Sequence, residues 1–236
     1  MPSALDTMME DASLALAKMD YLACEATCLK ALAMAREQGD WAYYGRILLP
    51  LQECRRQRRM IAAEGVVRLG TADLDGSPES WLSEIPEGCI VLTHPHNVND
   101  ARWLQQAARD RRQHVEVLFA DNPADATRWK LTTFTGPSIV IEVEATPASW
   151  RNQWLAKDGA TPQGAKNPAD WFIDATEKLG DALLARVTTE NTLQRITELE
   201  HCLTAMSDHE ILHQRLADAA RDARLASSAP IASGSP

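Results

Sequence analysis

The sequence predicts an α/β fold: a small parallel or mixed sheet carrying a βαβ unit, flanked by N-terminal and C-terminal helical hairpins. Three observations predict it. Apolar residues recur at helical spacing from Leu5 to Met60. Between Gly65 and Ala145 that period gives way to short apolar runs, two of which bracket a helical pattern. Helical spacing then returns from Phe172 to Ala223. A change of period from 3.6 to 2 and back marks the change of element type. The expected segments are 4–62, 63–147 and 148–225, with a tail over 226–236.

Each element has its own signal. Leu5, Met8, Met9, Ala12, Ala15, Leu16 and Met19 give a first helix one apolar face. A second helix carries two stripes, Leu22-Ala26-Leu29-Ala33 and Cys24-Cys28-Ala31-Ala35, so it is expected to lie between neighbours. A third presents Tyr44, Ile47, Leu48, Leu51 and Cys54, with a kink or break expected near Leu49 because Pro50 follows. Val66 to Leu69 reads as a short strand, and Cys89 to Thr93 as a buried one. Asn99 or Asp100 can cap a helix to about Gln113, and His114 to Ala120 reads as the next strand. Strand, helix and strand with short links imply parallel pairing. Lys130 to Phe134 and Ser138 to Glu144 are expected to pair across Thr135-Gly136-Pro137. Ala156 to Pro168 reads as a loop, then come helices on Phe172-Leu179-Leu183, Leu193-Ile196-Leu199-Leu203 and Leu212-Leu216-Ala220. The tail from Ala226, rich in Ser, Ala, Pro and Gly, reads as disordered.

The N-terminal helices carry a family likeness. A turn at Met19-Asp20-Tyr21 is followed by Lys30-Ala31-Leu32, and Ala35-Arg36-Glu37-Gln38-Gly39-Asp40 leads into a second turn at Trp41. Ala12, Cys24 and Ala31 supply small residues at packing positions. This segment resembles a tetratricopeptide repeat (TPR). It departs from that pattern at Met19, where Gly is usual, and at Met8 and Ala15, where aromatics are usual. The resemblance implies a helical-hairpin scaffold or adaptor that binds a protein partner or a second copy of the chain.

Composition narrows the function classes. A formal net charge of −9 argues against nucleic-acid binding by bulk charge. Neither a leader nor a membrane-spanning run is legible, and the 5 cysteines lack a Cys-x-x-Cys, so reduced buried thiols in a cytoplasmic protein are expected. Arg55, Arg56, Arg58 and Arg59 form the basic cluster, read as helix C-terminal charges favoured by the macrodipole. Trp150 and Trp154 stand at helical spacing. No glycine-rich phosphate loop follows either strand, so no cofactor is expected.

Two patterns carry possible metal chemistry. His209-Glu210-Ile211-Leu212-His213 matches a zinc-protease motif, but no third ligand follows. Ser207 to Glu210 reads instead as a capping box. The other is Thr93-His94-Pro95-His96 after one strand with Asp121 after the next. Parallel strands end on one side, so His94, His96 and Asp121 could converge on a metal. That is the alternative to the adaptor: a metal-dependent hydrolase on the α/β segment.

Overall fold

Helix α1 (Ala4–Ala17) starts where Ser3 and Asp6 form a reciprocal capping box, each side chain accepting from the other's backbone N–H at 3.1 and 3.0 Å. It ends in a Schellman turn, with Met19 N–H donating to Leu16 and Asp20 N–H to Ala15. Asp20 then caps α2 (Tyr21–Glu37) through Ala23 N–H at 3.1 Å. The same construction recurs twenty residues on. Gly39 donates to Arg36, Asp40 donates to Ala35, and the Asp40 carboxylate accepts from Tyr43 N–H at the start of α3 (Trp41–Glu64). The turn needs a left-handed residue. Gly39 fills it at φ +67°, and Met19 takes φ +59° in the equivalent place.

The computed structural model describes residues 3–74, 78–83, 85–121, 127–156 and 167–228. The expected loop over 157–166 and the end of the tail over 229–236 lie outside them, and 226–228 belong to the last helix. Two compact units emerge, and they cut across the consecutive segments read from the sequence.

The first unit comprises Met1–Arg55, Val187–Glu200 and Glu210–Pro236. Its core uses Ala12, Cys24, Cys28, Ala31 and Ala35, all buried, together with Tyr44, Ile47 and Leu51 of α3. Leu212, Leu216 and Ala220 of the last helix, Glu210–Ser228, are buried as well. Long-range polar contacts tie early to late sequence: Tyr44 donates to Glu200 at 2.6 Å, and Arg36 pairs with Glu200 and donates to Thr197 at 2.7 Å. Burial pushes the Tyr44 phenol well above the usual tyrosine range. α3 runs through Pro50 without a break, so of the kink or break expected near Leu49 the break does not occur. Buried Ile47, Leu48 and Leu51 flank that point, and their packing outweighs the lost backbone hydrogen bond.

The second unit comprises Arg56–Arg186 and His201–His209. Its strands are β1 (Val66–Leu69), β2 (Glu87–Leu92), β3 (His114–Ala120), β4 (Arg128–Thr132), β5 (Val140–Glu144) and β6 (Trp154–Ala156). They form one mixed sheet in the order β5-β4-β3-β2-β1-β6. β1, β2 and β3 are parallel, and β4, β5 and β6 pair antiparallel with their neighbours. The short α4 (Pro78–Trp81) precedes β2, and α5 (Val98–Asp110) joins β2 to β3, completing the βαβ unit. Asn97 and Asp100 form the capping box that starts α5. Ala101, Leu104 and Ala108 pack on Ile90, Leu92, Val115 and Val117. Cys89 and Val91 alternate with these and are also buried, as a strand covered on both faces requires. α6 (Pro168–Leu184) packs on β1 and β5.

Two local readings change. Trp154 lies in β6 and Trp150 in a 3-10 turn, Ala148–Trp150, so they share no helix; three residues pairing with β1 leave too short a pattern to read. α7 (Thr192–Ala205) is followed by α8 (Glu210–Ser228), which begins at Glu210 itself. Glu210 is therefore in the first helical position rather than the third, and its carboxylate accepts from Gln214 at 2.9 Å.

Candidate functional site

Past β1 and β2, Thr71 and Thr93 exchange hydrogen bonds, each backbone N–H donating to the other's hydroxyl at 3.0 and 3.1 Å. That clasp fixes the start of the loop bearing His94 and His96. His94 is exposed. His96 is half-buried and stands edge-on to Trp81, with ring centroids 5.0 Å apart. Asp121 is exposed after β3, its N–H donating to the Lys130 carbonyl at 2.9 Å. All three follow the C-terminal ends of neighbouring parallel strands. Among the described residues no three His, Cys, Asp or Glu side chains are grouped to hold a metal ion, and these three are not so grouped.

The His-Glu-x-x-His histidines have separate neighbours. His209 is buried against α6, with Nε2 3.3 Å from Glu177 and 3.4 Å from Asp181. It sits over Gly180, where a Cβ would come within 2.1 Å of the ring. His213 is buried with Nε2 3.4 Å from Arg55.

The basic cluster is largely inside the protein, which overturns its reading as a row of helix-end charges. Arg55 pairs with Glu25 at 2.7 Å, both side chains more than nine-tenths buried. Arg58, 1% exposed, pairs with Glu116 at 3.2 Å. Arg59 pairs with Asp208 at 3.0 Å and with Glu177. The charge of these three is spent on internal carboxylates, while Arg56 is exposed.

In the first unit the helices also bring three buried thiols together. Cys54 Sγ–H donates to the Leu51 carbonyl at 3.1 Å and Cys24 Sγ–H to the Pro50 carbonyl at 3.9 Å. The neighbouring thiols of Cys28 and Cys54 pull the Cys24 pKa down, while Cys24 beside them and burial push Cys28 and Cys54 up. All 5 cysteines are buried thiols outside any disulfide.

The second unit holds a cavity of about 100 Å³, and its origin is a splay in the sheet. β4 meets β3 only at Phe119↔Thr132 and Ala120↔Leu131. Beyond Thr132 the chain departs, and Thr133 N–H turns to Ile139. The first half of β3 is left without a strand on that side. Gln105 covers it, donating to the Val115 carbonyl at 2.9 Å and accepting from Val117 N–H at 3.0 Å. The space between Val117, Leu118 and Phe134 opens into the cavity. Phe172, Thr176 and Met206 line one part of the wall and Arg59, Glu116 and Asp208 another. Burial pushes the Asp208 carboxyl above the usual range, against the pull of Arg59.

The remaining wall comes from α5: Arg102, Gln105, Gln106 and Arg109. Their i, i+3, i+4 and i+7 spacing makes one polar stripe beside the apolar face of Ala101, Leu104 and Ala108. That stripe is legible in the sequence from its spacing alone. Asp208 and Glu177 were not legible, because only the packing sets them against Arg59.

No helix among the described residues is long and apolar enough to cross a membrane. No protein-family model, curated protein or solved structure matches this chain.

Proposed function

We propose that the first unit is a protein-binding scaffold, an adaptor that takes a helical or extended segment of a partner protein. The observation that carries this is the turn module used twice, a Schellman turn followed by an aspartate cap at Met19-Asp20 and again at Gly39-Asp40. Such modules stack successive helices in one sense, as TPR-like hairpins do, and buried Ala12, Cys24 and Ala31 let them approach closely. Leu14, Leu29 and Leu49, one on each of the three helices, are 51%, 43% and 71% exposed and supply apolar anchors for a partner segment.

Selection from a displayed peptide library with the full chain as bait tests the reading. Enriched peptides should bind one to one at micromolar Kd or tighter. Leu14→Asp, Leu29→Asp or Leu49→Asp should abolish binding while leaving the circular dichroism spectrum unchanged. Selection that enriches nothing, or peptides that bind all three variants as well as the parent, would discard the scaffold.

A further inference from the structure

We infer that the cavity of the second unit is a binding site for a small organic anion, one with a carboxylate-like head and an apolar body. This goes beyond the scaffold reading and does not depend on it.

Charge accounting within the wall points to an anion. Arg59 is matched by Asp208 and Glu177, and Glu116 is matched by Arg58. Two arginines here face three carboxylates, one of which, Glu177, also lies 3.3 Å from His209 Nε2, so this part of the wall has no spare positive charge for an anion. Arg102 and Arg109 are different. Arg102 donates from Nε to the Phe134 carbonyl at 2.9 Å and from Nη1 to the Asn99 side chain at 3.1 Å, and both acceptors are uncharged. Arg109 has no carboxylate partner among the described residues, and neighbouring Asp110 is held by Gln106 at 2.8 Å. Two guanidinium groups therefore stand at the wall outside any ion pair among the described residues.

Their placement suits one oxyanion. Seven residues of helix separate them by about 10 Å along the axis, within the joint reach of two arginine side chains. The guanidinium fork donates in parallel to a carboxylate, the geometry in which such hydrogen bonds are strongest. The amides of Gln105 and Gln106 lie between them on the helix. Gln105 is already committed to the β3 backbone, so it is a fixed part of the wall.

The lining also includes the apolar side chains Phe134, Phe172 and Met206. Thr176 and Thr204 also line the cavity, but their hydroxyls are turned to the carbonyls of Phe172 and His201, at 2.9 and 2.7 Å. An inorganic anion would leave that apolar wall uncovered. An aromatic or branched aliphatic body would cover it while its head meets the arginines.

Calorimetric titration of the full chain with benzoate, benzamide and inorganic phosphate tests the proposal. Benzoate should bind one to one and weaken as salt is raised, because a charge pair is being formed. Benzamide keeps the ring and loses the charge, and phosphate keeps the charge and loses the ring; each should bind at least roughly tenfold more weakly. Arg109→Gln should weaken benzoate about tenfold or more with no change in melting temperature, since its exposed side chain supports no other group. Arg102→Gln should weaken benzoate similarly but also lower the melting temperature slightly, because its hydrogen bonds to Phe134 and Asn99 are lost as well. Absence of saturable benzoate binding would overturn the site. So would benzamide or phosphate binding as tightly as benzoate, or full benzoate affinity in Arg109→Gln.

Discussion

The two units handle buried charge in opposite ways. In the first, Arg55 meets Glu25 at 2.7 Å and both are sealed from solvent, with His213 completing the surround. In the second, Arg59, only four residues further along the chain, meets Asp208 and Glu177 beside a cavity. The first arrangement is closed: nothing can enter, and the ion pair serves only to hold α2 and α3 together. The second leaves space next to its charges and adds two unmatched arginines from α5. Similar residues thus become structural in one place and available for recognition in the other. Packing around the pair makes the difference, because desolvation is complete in one and partial in the other.

The largest break in this comparison is expected on the closed side. Glu25→Ala leaves Arg55 buried without its carboxylate and should cost about 3–5 kcal/mol in urea unfolding. Asp208→Ala should cost clearly less, because Arg59 keeps Glu177. Equal losses would mean that the two pairs are equally sealed.

Gly180→Ala probes how the second unit seats His209. Its Cβ would collide with the imidazole, so overpacking of about 1–3 kcal/mol is expected in place of the gain usual for Gly→Ala in a helix. His209→Ala in the same chain should recover part of that loss, and a double-mutant cycle reads the coupling. Strictly additive effects would show that the ring is not the obstacle.

A smaller effect sharpens the first unit against itself. Met19→Gly should stabilise by about 1 kcal/mol, because glycine takes the left-handed turn without steric cost, and Gly39→Ala should lose about as much. Thermal unfolding measures both. A destabilised Met19→Gly would mean that the methionine side chain contributes packing at the turn.

The subtlest expectation concerns protons. The folded pKa of Asp208 is raised by burial, so its contribution is fully present below the ordinary carboxylate pKa and is lost as pH rises through the raised value. Asp208→Asn fixes the neutral form. Its stability relative to the parent should therefore improve from acid to neutral pH, read from urea midpoints across that range. A flat difference would place the Asp208 pKa at its ordinary value.

Much of the fold was legible because it is specified locally. The capped helices, the Asp20 and Asp40 turns, and the apolar run at Cys89–Thr93 each carry their signal within a few residues. Where the signal spans fewer residues it fails, as at Trp154–Ala156. Where packing outweighs a local rule it misleads, as at Pro50 and at the start of α8. The arginine run shows the same limit: its composition reads as helix-end charge, while the partners of Arg55, Arg58 and Arg59, which are Glu25, Glu116, Glu177 and Asp208, lie far off in the chain.

The sequence by itself determined the order of the long helices and of β1 to β5, the βαβ unit and the two turn modules, because periodicity, caps and turn residues act over one or two helical turns. Only the tertiary structure decided that early and late helices share one unit, that the arginines are neutralised, and that β3 and β4 part to leave a cavity. Each of those depends on which distant side chains meet, and burial and charge pairing act through space with no regard to separation along the chain.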